Sequence, residues 1–371
     1  MRSVRDIIHS YDAGAELPYA STIPASWYTD PRLLEAERQT VFARSWLVTA
    51  RAEQVRRPGQ FATCELPSGE PVVVVRGDDG RVRGFFNVCR HHAAAVVTAP
   101  EGQAQVLRCP YHGWTYGLDG SLKGTPDFTG VCNFDRHANG LAPMRAQAWE
   151  GWVLTQLEPE APSLDDFLGA DLVARVAARA LTRYTWVERR RYVLDCNWKV
   201  FVDNYLDGGY HVPHLHRGLD SVLNYREYAI ETGSRYCLQS SPMVSEGADA
   251  VTGAVRQGDL AWYLWIYPNF MLNVYGDAMD TNLVTPLGVD RTEVLFDFYF
   301  TDTSEAATPR NRASIEVSDR IQREDEDVCI SVQRGLRSRA YGAGRLSVRR
   351  EAGEHLFHRL LYGDLRRFET T

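Results

Sequence analysis

Two short clusters of cysteine and histidine constrain the fold of this chain more than any other feature. Cys89 and His91 form the first cluster, and Cys109 and His112 form the second, after 17 intervening residues. In each cluster the cysteine precedes the histidine by two or three positions, so each loop presents one sulfur and one nitrogen. Two such loops can bind one metal centre from opposite sides. The chain is therefore expected to fold around a metal.

The ligand composition fits two kinds of centre, a structural zinc ion and a [2Fe-2S] cluster of the Rieske type. Zinc sites with two Cys and two His usually pair like with like, in the order C-x2-4-C and then H-x3-5-H. The clusters in this chain alternate instead. A Rieske cluster needs two thiolates on one iron and two imidazoles on the other, which mixed loops supply if each loop spans both irons. His92 is a second candidate ligand beside His91.

Length and composition exclude several other classes of protein. The 371 residues are enough for two or three domains, and the net charge of -7 gives no basic surface for nucleic acid. No apolar run reaches the roughly 18 residues of a membrane span, and the first residues lack the pattern of a signal peptide. We therefore expect a cytoplasmic protein with neither nucleic-acid nor membrane partners. Seven cysteines, an odd number, do not indicate a disulfide framework.

The periodicity of apolar residues predicts an α+β protein. Residues 1–45 carry helical patches and read as a lead-in segment, whereas residues 46–157 contain short strands separated by turns and predict a small β domain with the cluster loops at its tips. Residues 158–371 combine longer strands with helices near both ends. This pattern predicts an antiparallel sheet that wraps around a long helix.

A second candidate metal site lies in residues 197–216. His211 and His216 are five positions apart, which does not place them on one helix face, but Pro213 is expected to bend the chain between them. Two histidines and one carboxylate form the facial triad of a mononuclear ferrous site. The acidic run in residues 322–333 offers the carboxylate, and its four candidates are Glu324, Asp325, Glu326 and Asp327.

Both sites together resemble those of the Rieske non-haem iron oxygenases. The sequence Cys-Pro-Tyr-His-Gly-Trp at residues 109–114 resembles the second cluster loop of that family, and Cys-Arg-His at 89–91 resembles the first. The family usually continues the first loop with Arg-Gly, whereas this chain has His92-Ala93. The resemblance extends to the catalytic subunit over nearly the whole chain, and within the family the chain resembles plant-type choline monooxygenases. The supporting stretches are residues 197–216, 265–276, 279–288 and 322–336.

The resemblance implies a Rieske [2Fe-2S] β domain joined to a helix-grip catalytic domain on which residues 1–45 pack. It implies Cys89, His91, Cys109 and His112 as cluster ligands, and Asp325 as the third ligand of the mononuclear iron. It also implies a homotrimer in which the cluster of one subunit reduces the iron of the next. Electrons then come from a separate reductase or ferredoxin, because no G-x-G-x-x-G motif for a nicotinamide or flavin follows a strand.

One departure affects electron transfer between subunits. Many family members have Asp or Glu three residues before the first iron histidine, but this chain has Gly208 there. Asp207 and Asp203 are the available carboxylates, and Asp207 is our hypothesis for the replacement. Asn204 matches a family asparagine near the iron and is predicted to act there.

The resemblance implies a monooxygenase or dioxygenase that uses O2, the cluster and Fe(II) to hydroxylate or demethylate a small substrate. A choline-like quaternary ammonium compound or amine is the leading prediction, and Trp262, Trp265 and Tyr267 are candidates for cation-π contacts with it. One alternative is an oxygenase for an aromatic acid or ether, with a pocket arginine or lysine that pairs with the carboxylate. The other is an electron carrier without enzymatic activity.

Overall fold

The structure is a computed structural model that describes residues 2–244 and 246–369. The chain divides into two compact units, one formed by Met1–Val41 with Leu168–Thr371 and the other by Phe42–Phe167. In the described part of the chain, no helix combines the length and the apolar character that a bilayer crossing needs.

The unit of residues 42–167 is a β domain. Its larger sheet has the order β1-β10-β9-β4-β3-β2-β5 and a smaller sheet has the order β6-β7-β8 among the described residues. Val72 to Val75 of β3 are all buried, as expected for a central strand covered on both faces. The strands are β1 Leu47–Arg51, β2 Gln60–Glu65, β3 Pro71–Arg76, β4 Val82–Phe86, β5 Glu101–Gln103, β6 Leu107–Arg108, β7 Thr115–Tyr116, β8 Leu122–Gly124, β9 Pro143–Trp149 and β10 Trp152–Gln156.

The other unit is built on a second antiparallel sheet of order β11-β17-β16-β15-β14-β13-β12. Its strands are β11 Thr185–Leu194, β12 Ala229–Thr232, β13 Tyr236–Pro242, β14 Leu260–Ile266, β15 Phe270–Tyr275, β16 Ala278–Gly288 and β17 Arg291–Phe300. The helices of the chain are α1 Val4–Ile8, α2 Ala25–Thr29, α3 Pro31–Glu37, α4 Leu164–Leu168, α5 Ala170–Ala177, α6 Trp198–Leu206, α7 Val212–Leu215, α8 Arg217–Asp220, α9 Ala250–Val255, α10 Thr308–Leu336 and α11 Ala352–Leu365. A π turn spans Arg38–Phe42, and 3-10 turns span Leu17–Tyr19, Ala52–Val55, His137–Asn139, Leu181–Arg183, Tyr225–Glu227, Glu305–Ala307 and Arg366–Glu369.

The sheet packs against α6, which contacts β16, β17 and the long helix α10. The side chain of Asn197 caps α6 by accepting a hydrogen bond from the N–H of Lys199 at 3.1 Å. The helix buries Trp198, Val200 and Phe201 in the core. The predicted α+β fold, with a small β domain and an antiparallel sheet around a helix, is confirmed.

A buried ion pair joins the N-terminal helices to α6. Lys199 Nζ lies 2.5 Å from Glu37 Oε1, and both side chains are fully buried. The other carboxylate oxygen of Glu37 accepts a hydrogen bond from the Trp198 indole N–H at 2.7 Å. Because a buried charge without a partner is costly, this pair fixes α3 against the helix that leads to His211.

Candidate functional site

The two cluster loops have the same backbone turn. The carbonyl of Cys89 accepts a hydrogen bond from the N–H of Ala93 at 2.9 Å, and the carbonyl of Cys109 accepts one from the N–H of Gly113 at 3.1 Å. The residue that closes each turn has a positive φ, 58° for Ala93 and 74° for Gly113. Glycine adopts this left-handed conformation freely, whereas alanine incurs a steric cost of about 1–2 kcal/mol. The His92-Ala93 sequence therefore raises the conformational energy of the first loop, but its backbone makes the same turn as the second loop.

The loops bring three imidazoles together. One ring nitrogen from each of His91, His92 and His112 lies within 4.8 Å of the others. The His91 ring stacks on Trp114, with 4.7 Å between the ring centroids, and its Nδ1 is buried with no hydrogen-bond partner in the described residues. A buried polar atom of this kind needs a ligand. His91 therefore fits the ligand position.

The two cysteines are buried, with 3% and 2% of the surface of Cys89 and Cys109 exposed. Within the described residues, neither sulfur belongs to a group of three ligand atoms that lie within 4.8 Å of one another. The ligands of a single zinc ion would all belong to one such group. The separation of the sulfurs from the ring nitrogens fits a cluster with two irons better than zinc.

Tyr116 lies beside the first sulfur. Its hydroxyl is 3.3 Å from Cys89 Sγ and accepts a hydrogen bond from the N–H of Arg90 at 3.0 Å. Burial and the contact with Cys89 both raise the pKa of Tyr116, so the hydroxyl stays protonated. Its proton is thus free to be donated to the sulfur.

The second group of ligand atoms is formed by His211, His216 and Asp325. His211 directly precedes α7 and His216 directly follows it, while Asp325 lies on α10. Asp325 Oδ1 is 3.0 Å from His216 Nε2 and 3.8 Å from His211 Nε2. The three ligand atoms converge on one point, as a facial triad requires.

Each histidine is oriented from its other ring nitrogen by a carboxylate. Asp207 Oδ2 lies 2.6 Å from His211 Nδ1, and Glu324 Oε2 lies 2.6 Å from His216 Nδ1. Burial alone would lower the pKa of His216, but Asp325 and Glu324 outweigh it and raise that pKa. The site therefore favours a positive charge, which suits a bound cation. Glu324, one of the four predicted candidates for the third ligand, takes this supporting position instead.

The bend between the two histidines is not made by Pro213 as predicted. Pro213 lies in the first turn of α7, where a missing N–H costs nothing. The two histidines flank the short helix α7, and the chain reverses before His211, at Gly208 and Gly209, whose φ angles are 69° and 67°. A left-handed pair of this kind ends α6 and turns His211 back toward α10. From the sequence, Gly208 was interpreted only as a missing carboxylate, and its left-handed conformation explains the glycine better.

The residues around Gly208 leave no room for a side chain. A Cβ at this position would lie 2.1 Å from the carbonyl oxygen of Arg350 and 2.5 Å from Ile230 Cδ1. The carboxylate that contacts His211 is that of Asp207, whereas Asp203 accepts a hydrogen bond from the Tyr28 hydroxyl at 2.6 Å.

Asn204 contacts the third ligand. Its side-chain amide donates a hydrogen bond to Asp325 Oδ1 at 2.8 Å. The bond fixes one carboxylate oxygen and links α6 to α10. Among the described residues, Glu326 and Asp327 belong to no group of converging ligand atoms.

A partly open cavity of about 100 Å³ lies against the triad. Tyr228, Tyr263 and Tyr275 form one side of it, here called the aromatic wall. Tyr228 stacks on Tyr263 with 6.4 Å between centroids, and Tyr263 meets Tyr275 edge to face at 5.6 Å. Other residues that line the cavity include Phe201, Arg256, Asp280, Phe296 and Gln322. This mixture of aromatic walls and a few polar side chains is typical of sites for small molecules.

The three aromatic residues predicted to bind substrate do not line this cavity. Trp262 packs under the guanidinium of Arg179 at 5.3 Å, Trp265 packs against α11, and the hydroxyl of Tyr267 donates to an aspartate of α11. Alternation along β14 places Tyr263 on the same face as Trp265, but α11 covers that face at Trp265. The alternation of side chains along β14 is the sequence pattern from which Tyr263 could have been identified. No sequence pattern pointed to Arg256.

Two families match the chain. Residues 45–135 match the Rieske [2Fe-2S] domain, and residues 181–362 match the ring hydroxylating alpha subunit (catalytic domain). The chain is 38% identical to the chloroplastic choline monooxygenase of Arabidopsis thaliana, over 98% of this chain and 87% of the relative. It is 33% identical to the carnitine monooxygenase oxygenase subunit of Escherichia coli K12, over 92% and 93% of the two chains. The crystal structure of a quaternary ammonium Rieske monooxygenase in complex with L-carnitine is similar, with a TM-score of 0.81, 29% identity, and 93% and 95% of the chains covered.

Proposed function

Since the chain belongs to the family of Rieske non-haem iron oxygenases, we propose that it uses O2 to oxidise a small quaternary ammonium compound. The observation that carries this proposal is the convergence of His211, His216 and Asp325 on a cavity bounded by the aromatic wall. The family holds a [2Fe-2S] cluster and a mononuclear iron. When bound, the mononuclear iron activates O2 for attack on a C–H bond.

We assign the ligands of the two centres from the convergent atoms. Cys89 and Cys109 bind one iron of the cluster, and His91 and His112 bind the other. The orphaned Nδ1 of His91 supports this assignment. His211, His216 and Asp325 bind the mononuclear iron, and the amide of Asn204 holds the carboxylate of Asp325 in place.

The aromatic wall supports a quaternary ammonium substrate. Such a group cannot donate hydrogen bonds, and the faces of tyrosine rings attract it through cation-π interactions. Relatives named as choline and carnitine monooxygenases point to the same class. The balanced reaction is substrate + O2 + 2 electrons + 2 protons giving hydroxylated substrate + water. A hydroxyl beside nitrogen then leads to an aldehyde or to loss of a methyl group.

The electrons come from a separate reductase or ferredoxin, and the working assembly is a homotrimer. We infer that Asp207 links the neighbouring subunit's cluster to the iron, and its contact with His211 and the lack of a side chain at Gly208 support this. We assign residues 46–157 to the Rieske domain and 158–371 to the catalytic domain, with 1–45 packed on the latter through Glu37. The cytoplasmic location stays a prediction.

One observation favours the alternative, an oxygenase for an aromatic acid. An arginine in the pocket was the expected mark of that class, and Arg256 lines the cavity. The electron carrier without activity is disfavoured by the match of residues 181–362 to the catalytic domain.

The test is turnover by the iron-loaded protein with a competent reductase. The reduced protein receives O2 together with choline, L-carnitine or benzoate, and products are identified by mass. Oxidation of at least one trimethylammonium compound, coupled to O2 uptake, is expected. Turnover of benzoate without any trimethylammonium compound would contradict the proposal. Iron analysis separates out the electron carrier, because an oxygenase holds about three irons per chain and a carrier about two.

A further inference from the structure

The cavity holds a buried arginine without an acidic partner. Arg256 follows α9 and is 4% exposed. Its Nη atoms donate to the hydroxyls of Ser314 and Ser318 on α10, and its guanidinium lies 4.4 Å from the centre of the Tyr275 ring. Among the described residues, no carboxylate lies within 4.0 Å of this guanidinium. Neutral partners leave a buried positive charge uncompensated, which is costly unless an anion joins it.

The nearby acid does not fill this role. Asp280 lines the same cavity, and its carboxylate accepts hydrogen bonds from the amides of Asn273 at 2.7 Å and Asn282 at 3.4 Å. Burial raises the pKa of Asp280, although the charge of Arg256 opposes the shift. The carboxylate is held by these two amides instead of by the guanidinium.

Three residues that line the cavity have a buried hydrogen-bond donor without an acceptor at standard geometry. Nε of Arg256, the hydroxyl of Tyr263 and Nε2 of Gln322 are buried and have no hydrogen-bond partner of standard geometry in the described part of the chain. The three residues are 4%, 8% and 2% exposed, so water reaches them poorly. Buried donors without acceptors are rare in folded proteins. A ligand with two acceptor oxygens and a negative charge would satisfy them together.

The residues of α10 that carry or hold these donors are offset from Asp325 along the helix. Ser318, which holds Arg256, precedes Asp325 by seven residues on α10, and Gln322 lies between them. At 1.5 Å per residue, Ser318 and Asp325 are about 10 Å apart along the helix. A short molecule with a carboxylate at one end and an N-methyl group at the other spans this distance.

We propose that Arg256, Gln322 and Tyr263 form a carboxylate subsite, and that the substrate is a zwitterion with both a quaternary ammonium group and a carboxylate. The inference rests on the proposed function, since it assumes that the ammonium end faces the triad. A carboxylate on the quaternary ammonium substrate also explains why Arg256 lines the cavity, so an aromatic acid is not needed to explain it. Choline, which has a hydroxyl in place of the carboxylate, is then a poor substrate.

The experiment compares two matched substrate pairs on the iron-loaded enzyme with a reductase. Choline and glycine betaine have the same length and differ in the hydroxyl or carboxylate. γ-Butyrobetaine and its methyl ester form the longer pair. We expect the carboxylate compound of at least one pair to have a kcat/KM at least 10-fold higher than its partner, and to bind more tightly in calorimetry.

Variants assign that preference to the subsite. Arg256→Gln should lower kcat/KM for the preferred carboxylate compound by about 10- to 100-fold, because one charge-assisted hydrogen bond is lost. The kcat/KM of the other compound of the pair should change less than about 3-fold. Tyr263→Phe, which keeps the ring, should lower kcat/KM for the carboxylate compound alone, by about 3- to 10-fold. Arg179→Gln removes another guanidinium stacked on an aromatic ring, outside the cavity, and should change neither.

The outcomes separate the two proposals. Oxidation of choline and the ester in preference to both carboxylates overturns the subsite and leaves the proposed function intact. An equal loss for both members of a pair in Arg256→Gln, at unchanged iron content, also overturns it. If Arg256→Gln does not fold, Tyr263→Phe and the wild-type comparison decide. Failure of all four compounds to be oxidised overturns the proposed function, and failure of the carboxylates to bind then overturns the subsite as well.

Discussion

Replacing Asp207 by asparagine should separate its two contributions, to iron binding and to electron transfer. The carboxylate accepts hydrogen bonds from Nδ1 of His211 at 2.6 Å and from the N–H of His211 at 3.0 Å. Asn keeps an acceptor oxygen but loses the charge. Glu324→Gln is the matched control, because Glu324 holds the second histidine, His216, in the same way.

The size of the effect follows from charge and burial. A hydrogen bond to a charged group contributes about 1.5–3 kcal/mol and a neutral one about half as much. Asp207→Asn should therefore weaken iron binding by about 1–2 kcal/mol, or about 5- to 30-fold. The side chain of Glu324 is 36% exposed against 15% for Asp207, so solvent screens it more and Glu324→Gln should weaken iron binding less.

Stopped-flow reoxidation of the reduced cluster measures electron transfer. The rate in the presence of O2 and substrate is divided by the mononuclear iron content of each variant. Because only Asp207 is proposed to link the cluster of one subunit to the iron of the next, Asp207→Asn should slow this rate at least about 10-fold, whereas Glu324→Gln should change it less than about 2-fold. A normal rate per iron in Asp207→Asn would refute the proposal that Asp207 links the cluster to the iron. An equal loss in both variants would show that both residues only support the iron site.

Three further substitutions test the local geometry. Ala93→Gly should stabilise the iron-loaded protein by about 1 kcal/mol, measured by denaturant unfolding, because the φ of 58° strains alanine and not glycine; no gain would show that the loop carries no strain. Gly208→Asp should destabilise the protein by at least about 2 kcal/mol in the same assay and should not restore a bridge, because its Cβ would lie 2.1 Å from the carbonyl oxygen of Arg350; a stable and faster enzyme would be the opposite result. Tyr116→Phe should lower the reduction potential of the cluster by about 20–65 mV in a redox titration, because a hydrogen bond of about 0.5–1.5 kcal/mol to Cys89 stabilises the more negative reduced state; an unchanged potential would mean that no such bond forms.

The sequence by itself determined the features that depend on short segments. The ligands of each cluster loop lie within a few residues of one another, so their spacing already specified one sulfur and one nitrogen per loop. His211 and His216 were likewise visible as a local pair. Apolar periodicity predicted the β domain and the antiparallel sheet, because burial of one face follows from the alternation of side chains.

Tertiary structure decided which distant side chains meet. His216 and Asp325 approach to 3.0 Å although more than 100 residues separate them, and among four neighbouring acids only the direction of α10 selects Asp325 and turns Glu324 toward the histidine. Alternation along β14 could not show which part of a face α11 covers, so Trp265 was predicted at the substrate although Tyr263 is the residue of that face that lines the cavity. The partners of Arg256 lie about 60 residues away on α10. No local pattern encodes such contacts, because they arise only when separate elements pack into one core.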